Sequence, residues 1–339
     1  MAGQNNNPRI EYLDWLRAAG ALMVIIGHSN NEMVPGGAIG VSIFFVLSGF
    51  LISSILLRDG MLTPGNIAKF ILRRIARVYP MYAVQIAIVV AVLWYTGSGA
   101  LEPAIYDARR LLAFRDATTW TGYSFGVLWT LNVEFWFYFT FPAVMLVAVR
   151  IGLVRTFLAG IVVSIAAKML HTTSPTLAYY DHFLIGAFVA AMLTRGKQFM
   201  FAASIARDAA ILVLVVCAAI PVVARDLAWY AQSLCAALAT ATLIAHWSCH
   251  PPSISLPILR GIGLVSYSAY LLHAVVLDYI ISTTGSHPTN IPVFLGVTFG
   301  LSLATYLSIE RPVIRLAHRL LAFSRRAAAL RHHEANILQ

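Results

Sequence analysis

Apolar runs of about twenty residues recur along the whole chain. Ten stand out, at about residues 11–30, 38–57, 80–96, 126–149, 153–170, 178–194, 208–224, 227–247, 262–282 and 291–310, separated by short polar or basic stretches. About 20 apolar residues in a helix cross the ~30 Å hydrocarbon layer of a bilayer. Only structures that satisfy their own backbone hydrogen bonds can do so. The pattern therefore predicts an all-α integral membrane protein, a bundle of about ten transmembrane helices with both ends of the chain on the same side.

Composition strengthens that reading. Of 339 residues 59% are hydrophobic and 11% charged, against roughly 25% charged in a soluble domain. The net charge of +10 would suggest nucleic acid in a soluble protein. Here the basic residues fall in connections on one side. The side holding the N-terminus collects Arg9, Arg58, Lys69, Arg73, Arg74, Arg77, Arg150, Arg155, Arg195, Lys197, Arg207, Arg260 and six arginines between Arg311 and Arg331. The other side has Arg109, Arg110, Arg115 and Arg225, while Arg17 and Lys168 fall inside runs. Lys and Arg concentrate in cytoplasmic loops, so both termini are expected in the cytoplasm and nucleic acid is not an expected partner.

The polar start "MAGQNNNPRIEY" is not expected to be a cleaved signal. Cys217, Cys235 and Cys249 have neither metal nor disulfide spacing and read as packing residues. No repeat appears, and the organisation expected is a membrane domain over residues 1–312 with a basic cytoplasmic tail over 313–339. Two non-spanning pieces interrupt the alternation. "NIAKFILRRIARVYP" (Asn66–Pro80) has the pattern of a basic amphipathic helix lying before the third span, which suits an anionic lipid surface. Leu101–Phe125 is the longest segment on the side opposite the termini, able to fold over the mouth of the bundle.

Several spans carry groups that lipid does not tolerate without a partner or a purpose. In "DWLRAAGALMVIIGHSNN" (Asp14–Asn31), eleven helical steps bring His28 within about 20° of Arg17 and roughly 16 Å further along; Asp14 lies about 60° from Arg17. Three ionisable groups thus share one face, either as an interfacial pair with a helix-end histidine or as a functional face toward a wet interior. Ser48-Gly49 interrupts the second run, and small residues there suit either close helix packing or the approach of a ligand. Glu134 sits in "GVLWTLNVEFWFYFTFP", where a carboxylate must find a cation or be held protonated. Ser266, Tyr270 and His273 recur at i, i+4, i+7 on one face of "SYSAYLLHAVVLDY". In "LSIERP", Glu310 and Arg311 have the spacing of an end-of-helix ion pair, with Pro312 expected to stop the helix.

Taken together, these blocks resemble the membrane-bound acyltransferase-3 family. The blocks that carry the likeness are "LDWLRAAGALMVIIGH", "GVSIFFVLSGFLI", "LRRIARVYP", "LWTLNVEFWFY", "VSYSAYLLH" and "IERP", in the family's order from Ile10 to Pro312. The chain departs from the family where Ser42 stands in place of a frequent Asp, and Phe135 in place of a second Glu. The stand-alone form, without an appended esterase-like domain, is the form expected.

The resemblance implies an enzyme of the inner cell membrane that O-acetylates a hydroxyl acceptor. The donor would be cytoplasmic acyl-CoA, usually acetyl-CoA. The acceptor would be a surface polysaccharide, a lipid-linked glycan or a small natural product. No metal is implied. Arg73, Arg74 and Arg77 suit the donor's phosphates, with Arg17, Ser48 and Gly49 further along the donor's path. His28 is the expected general base or transient acyl carrier, with Glu134 or Asp14 orienting or charging partners. Tyr270 and His273 are expected near the acceptor. A transporter using intramembrane charges is the competing class; it would be expected to show two related halves with broken spans, which the chain lacks.

Overall fold

In the computed structural model, the described residues are 11–29, 36–58, 61–115, 122–170, 175–196, 204–220 and 227–320. They fold into α1 (Glu11–Ser29), α2 (Gly36–Leu56), α3 (Pro64–Tyr95), α4 (Leu101–Leu112), the single turn α5 (Tyr123–Gly126), α6 (Trp129–Ile151), α7 (Leu153–Met169), α8 (Pro175–Thr194), α9 (Ser204–Ala219), α10 (Leu227–Cys249), α11 (Pro257–Thr284) and α12 (Ile291–Thr305). Within the described residues, each of the ten expected runs is mainly helical. Among the described residues, six helical stretches are long and apolar enough to cross a membrane: 37–56, 64–95, 123–151, 228–249, 257–284 and 291–320. Among the others, α1 carries Glu11, Asp14 and Arg17 and buries most of its residues against its neighbours. It is a core helix in which Asp14 is almost fully buried while Glu11 and Arg17 stay partly exposed.

Helix α2 lies at the centre, packed on α1, α8, α10 and α6. Glycines permit the closest approaches. A Cβ on Gly40 would overlap the Gly20 carbonyl of α1, and one on Gly49 would overlap the Phe183 carbonyl of α8. On the far side of α1, Gly263 of α11 lies against the backbone of Asp14. Without a hydrophobic drive between helices in lipid, such contacts are what draws backbones together. They hold α1 between α2 and α11, which sets where Arg17 and His28 can point.

Three expectations are corrected. First, the basic segment before the third run is not a separate surface helix. It continues through Pro80 as one 32-residue helix, α3. Ending a helix at membrane depth would strand backbone groups, so proline within a span is tolerated. Second, Pro312 does not stop the last helix. Residues 306–310 form a π-helical turn, Tyr306–Glu310, and helix resumes over residues 311–320. The wider turn lies just ahead of the ring and absorbs the i−4 conflict that proline imposes. Third, Cys217 is buried as a packing residue, but Cys235 is exposed and Cys249 partly so. The N-terminal ten residues, the stretch 116–121 and the tail from residue 321 lie outside the described residues.

The long connection after α3 does fold back onto the bundle. Tyr82 of α3 donates to the Leu111 carbonyl (2.9 Å) and Gln85 to the Ser124 carbonyl (2.6 Å). Asp278 of α11 accepts from Tyr123 N (2.9 Å), Ser124 N (2.8 Å) and Ser124 Oγ. The α5 turn is thereby latched to α11 at the end of the bundle that carries His28. Gly122 precedes it at φ +106°, where a side chain would be strained and would press on the Asp278 carboxylate.

Candidate active site

A cavity of about 100 Å³ opens between α1, α2, α3, α6 and α11. Its cations are Arg17 from α1 and Arg74 and Arg77 from α3; its carboxylate is Glu134 of α6; Ser48, Ser266, Tyr138, Tyr267 and Tyr270 add hydroxyls. Side chains of α2, among them Phe44, Phe45 and Leu51, supply an apolar wall. Three guanidiniums facing one pocket is an arrangement that attracts an anion, and a planar guanidinium grips phosphate or carboxylate through paired donors.

Each group has its own anchor. Arg17 Nη1 lies 3.0 Å from Asp14 Oδ1, one turn back on α1, so the carboxylate aims the guanidinium and offsets part of its charge. Asp14 itself is nearly fully buried. The Arg74 guanidinium carbon lies over the rings of Phe70 (5.5 Å) and Tyr138 (6.0 Å), which hold the charged fork itself at the edge of the pocket. Ser48 Oγ donates to Glu134 Oε1 at 2.5 Å, tying α2 to α6 across the cavity. Tyr270 donates to the Val127 carbonyl (2.9 Å) and meets Thr130 Oγ1 at 2.7 Å. Glu310, in the π turn, accepts from Ser268 of α11 at 2.9 Å. It points inward, whereas Arg311 is exposed, so the end-of-helix pair suggested by "IERP" is not what this carboxylate makes.

The residues singled out from the sequence separate into two groups. Arg17, Ser48, Arg74, Arg77, Glu134 and Tyr270 line the cavity, and Asp14 backs it. Gly49, beside Ser48, faces α8, and Arg73 is outside the lining. His28 and His273 form a pair of their own, beyond Tyr270. Their ring planes are 3° apart with centroids 5.2 Å apart, and His28 Nδ1 lies 2.9 Å from His273 Nε2, so the rings meet edge to edge. Tyr270 contacts the His273 ring (5.8 Å), and Tyr123 of the latched turn lies 5.7 Å from the His28 ring. Tyr138 and Tyr267 were not singled out from the sequence. Tyr138 stands one turn from Glu134, a spacing visible in advance, but nothing distinguished it from the surrounding aromatics. Ser42 and Phe135, the two departures, are both outside the lining. Among the described residues no cluster suited to a metal ion is present.

Fold and site together define a helical, membrane-type bundle built around a buried cationic cavity with a carboxylate in its wall. Residues 10–309 match the family model described as an acyltransferase domain, and the chain belongs to this acyltransferase-3 family. It is 30% identical over 364 residues to the Bacillus subtilis protein named "Putative peptidoglycan O-acetyltransferase YrhL", a match covering 93% of this chain and 56% of that protein. It is 33% identical over 153 residues to the Listeria monocytogenes peptidoglycan O-acetyltransferase OatA, covering 41% of this chain and 24% of that protein. The chain thus spans about half the length of the first relative and less of the second. No solved structure matches it.

Proposed function

We propose that this chain is a membrane-bound O-acyltransferase that moves an acetyl group from cytoplasmic acetyl-CoA to a hydroxyl of a cell-envelope glycan. The observation that carries the reading is the gathering of Arg17, Arg74 and Arg77 with Glu134 and Ser48 around one cavity, in a chain of the acyltransferase-3 family. Coenzyme A is polyanionic and does not cross membranes, so its site must be cationic and reachable from the cytoplasm. The bias of Lys and Arg toward the side of the α3 arginines supports that orientation. The relatives named for peptidoglycan make its sugar hydroxyls the first acceptor to test.

In this reading Arg74 and Arg77 hold donor phosphates, and Arg17, aimed by Asp14, holds the donor deeper in the bundle. His28 lies about 16 Å along the same helix face, toward the acceptor's side. His28 accepts the proton of the acceptor hydroxyl as its oxygen attacks the thioester carbonyl. The C–O bond forms, the C–S bond breaks, and the departing thiolate takes the proton from His28. Glu134, held by Ser48, compensates the arginines and orients them.

The test uses the protein in lipid nanodiscs with radiolabelled acetyl-CoA and a soluble peptidoglycan fragment. Label is expected to move to the fragment with the wild type and not with His28→Ala. Transfer by His28→Ala would remove His28 from the chemistry. Absence of acetyl-CoA binding by the wild type would overturn the whole assignment. A labelled acetyl-imidazole trapped before acceptor is added would replace direct transfer by a two-step relay through His28.

A further inference from the structure

The second histidine of the pair faces neither the cavity nor the surface. His273 is fully buried, and its neighbours include the His28 ring, the Tyr270 ring and the backbone of Ala269 and Tyr270. Its Nδ1 lies 3.2 Å from the Ala269 oxygen, one turn back on α11. A carbonyl oxygen can only accept, so His273 Nδ1 carries a proton. A second proton would make a buried cation with no carboxylate among these neighbours, which is costly. The neutral ring therefore presents Nε2 as an acceptor. Only a protonated Nδ1 on His28 can fill a hydrogen bond to it across 2.9 Å, and a neutral imidazole has one proton to place.

We propose that His273 is a positioning residue: by accepting from His28 Nδ1, it fixes the tautomer of His28 so that Nε2 is its basic nitrogen. The inference rests on the reading of His28 as the group that takes the acceptor's proton, and names the atom that does so. His273 does for His28 what a carboxylate does in a hydrolase triad, orienting the ring and fixing its tautomer, without adding a charge at membrane depth. When Nε2 takes a proton, His28 Nδ1 remains a donor, so the contact survives the proton transfer. The hydrogen bond from a fully buried partner, with the two ring planes 3° apart, holds the orientation of the His28 ring. If His28 served as an acyl carrier instead, the same nitrogen would be the nucleophile.

The experiment compares His273→Leu with His273→Gln in nanodiscs. The glutamine amide oxygen can stand close to the position of the imidazole Nε2 and accept the same proton; leucine cannot. His273→Leu is expected to lower kcat by about 10–100-fold, as loss of the orienting partner of a metal-bound histidine does, with little change in KM for acetyl-CoA. His273→Gln is expected to recover most of that loss. Solid-state nitrogen NMR of histidine-labelled protein in bilayers supplies a readout that does not depend on turnover. The His28 signals, assigned by their loss in His28→Ala, are expected to report a protonated Nδ1 in the wild type and in His273→Gln, and a shift toward the other tautomer in His273→Leu. Equal losses of kcat in both variants with an unchanged His28 tautomer would overturn the proposal, as would full activity of His273→Leu. Retained transfer in His28→Ala would instead remove the catalytic reading and leave the tautomer assignment standing on the spectra.

Discussion

Ser48 Oγ and Glu134 Oε1 meet at 2.5 Å across the cavity, one from α2 and the other from α6. The bond holds a carboxylate in a pocket that also contains three guanidiniums. It also gives the serine of the "LSGF" block a definite partner. Glu134→Gln removes the negative charge while keeping the shape. It is expected to lower transfer more than Ser48→Ala, which leaves the carboxylate in place with one donor fewer. A hydrogen bond to a charged group is worth about 1.5–3 kcal/mol, so Ser48→Ala should cost roughly ten- to hundredfold at most. Steady-state kinetics on both variants check the order, and the reverse order would mean that the serine acts on the donor directly.

Arg17 offers a sharper test as Lys than as Ala. Lys retains a positive charge beside Asp14 but loses the planar fork. Loss of one charged hydrogen bond corresponds to a weakening of about tenfold or more, and the expected effect is on the affinity for acetyl-CoA. Calorimetric titration of Arg17→Lys with acetyl-CoA measures it. Wild-type affinity and activity would reduce Arg17 to a simple counter-charge.

A separate buried network lies at the junction of α7, α8, α10 and α2, away from the cavity. Lys168 Nζ is 2.7 Å from Asp181 Oδ2, His182 Nδ1 is 2.8 Å from Asp181 Oδ1, and His182 Nε2 is 2.8 Å from Ser233 Oγ. Lys168 and Asp181 are both almost completely buried. Removing one partner of such a pair leaves an uncompensated charge and costs about 3–5 kcal/mol, whereas replacing both by apolar residues is far less harmful. Lys168→Met is therefore expected to lower the Tm in detergent, and Lys168→Met/Asp181→Leu to recover part of the loss. Thermal unfolding followed by tryptophan fluorescence compares the two.

Asp278 holds the α5 turn beside His28 through three hydrogen bonds. Asp278→Ala removes them all and should free the Tyr123 and Ser124 amides. With about 1–3 kcal/mol at stake, hydrogen exchange over residues 122–126 is expected to accelerate by roughly ten- to hundredfold, while exchange in α2 stays unchanged. Unaltered exchange at Tyr123 would show that Gln85 and its neighbours hold the turn without the carboxylate.

The helical, membrane-type character of the chain was legible from the length and recurrence of its apolar runs, because crossing lipid demands both. The common face of Asp14, Arg17 and His28 was legible as well, because helical geometry fixes angles within one segment. So was the i, i+4, i+7 stripe of Ser266, Tyr270 and His273, two of which line the cavity. Contacts between segments were not legible. Nothing in the spacing joins Ser48 to Glu134, 86 positions apart, or His28 to His273, 245 apart. Those depend on the glycine-mediated approaches of α1, α2, α8 and α11, which set the rotation of each helix about its axis.

The same distinction explains the corrected points. Pro312 read locally as a stop and Asn66–Pro80 as a separate helix, but the cost of stranding backbone groups at membrane depth keeps both helices continuous, one straight through Pro80 and one by way of a π turn. Sequence alone determined that the apolar runs are helical and which polar groups within one run share a face, since these follow from properties of single segments. The tertiary structure alone decided which faces meet: that three arginines and a glutamate share one cavity, and that the two histidines form a separate hydrogen-bonded pair. Packing sets those distances, and no interval along the chain encodes them.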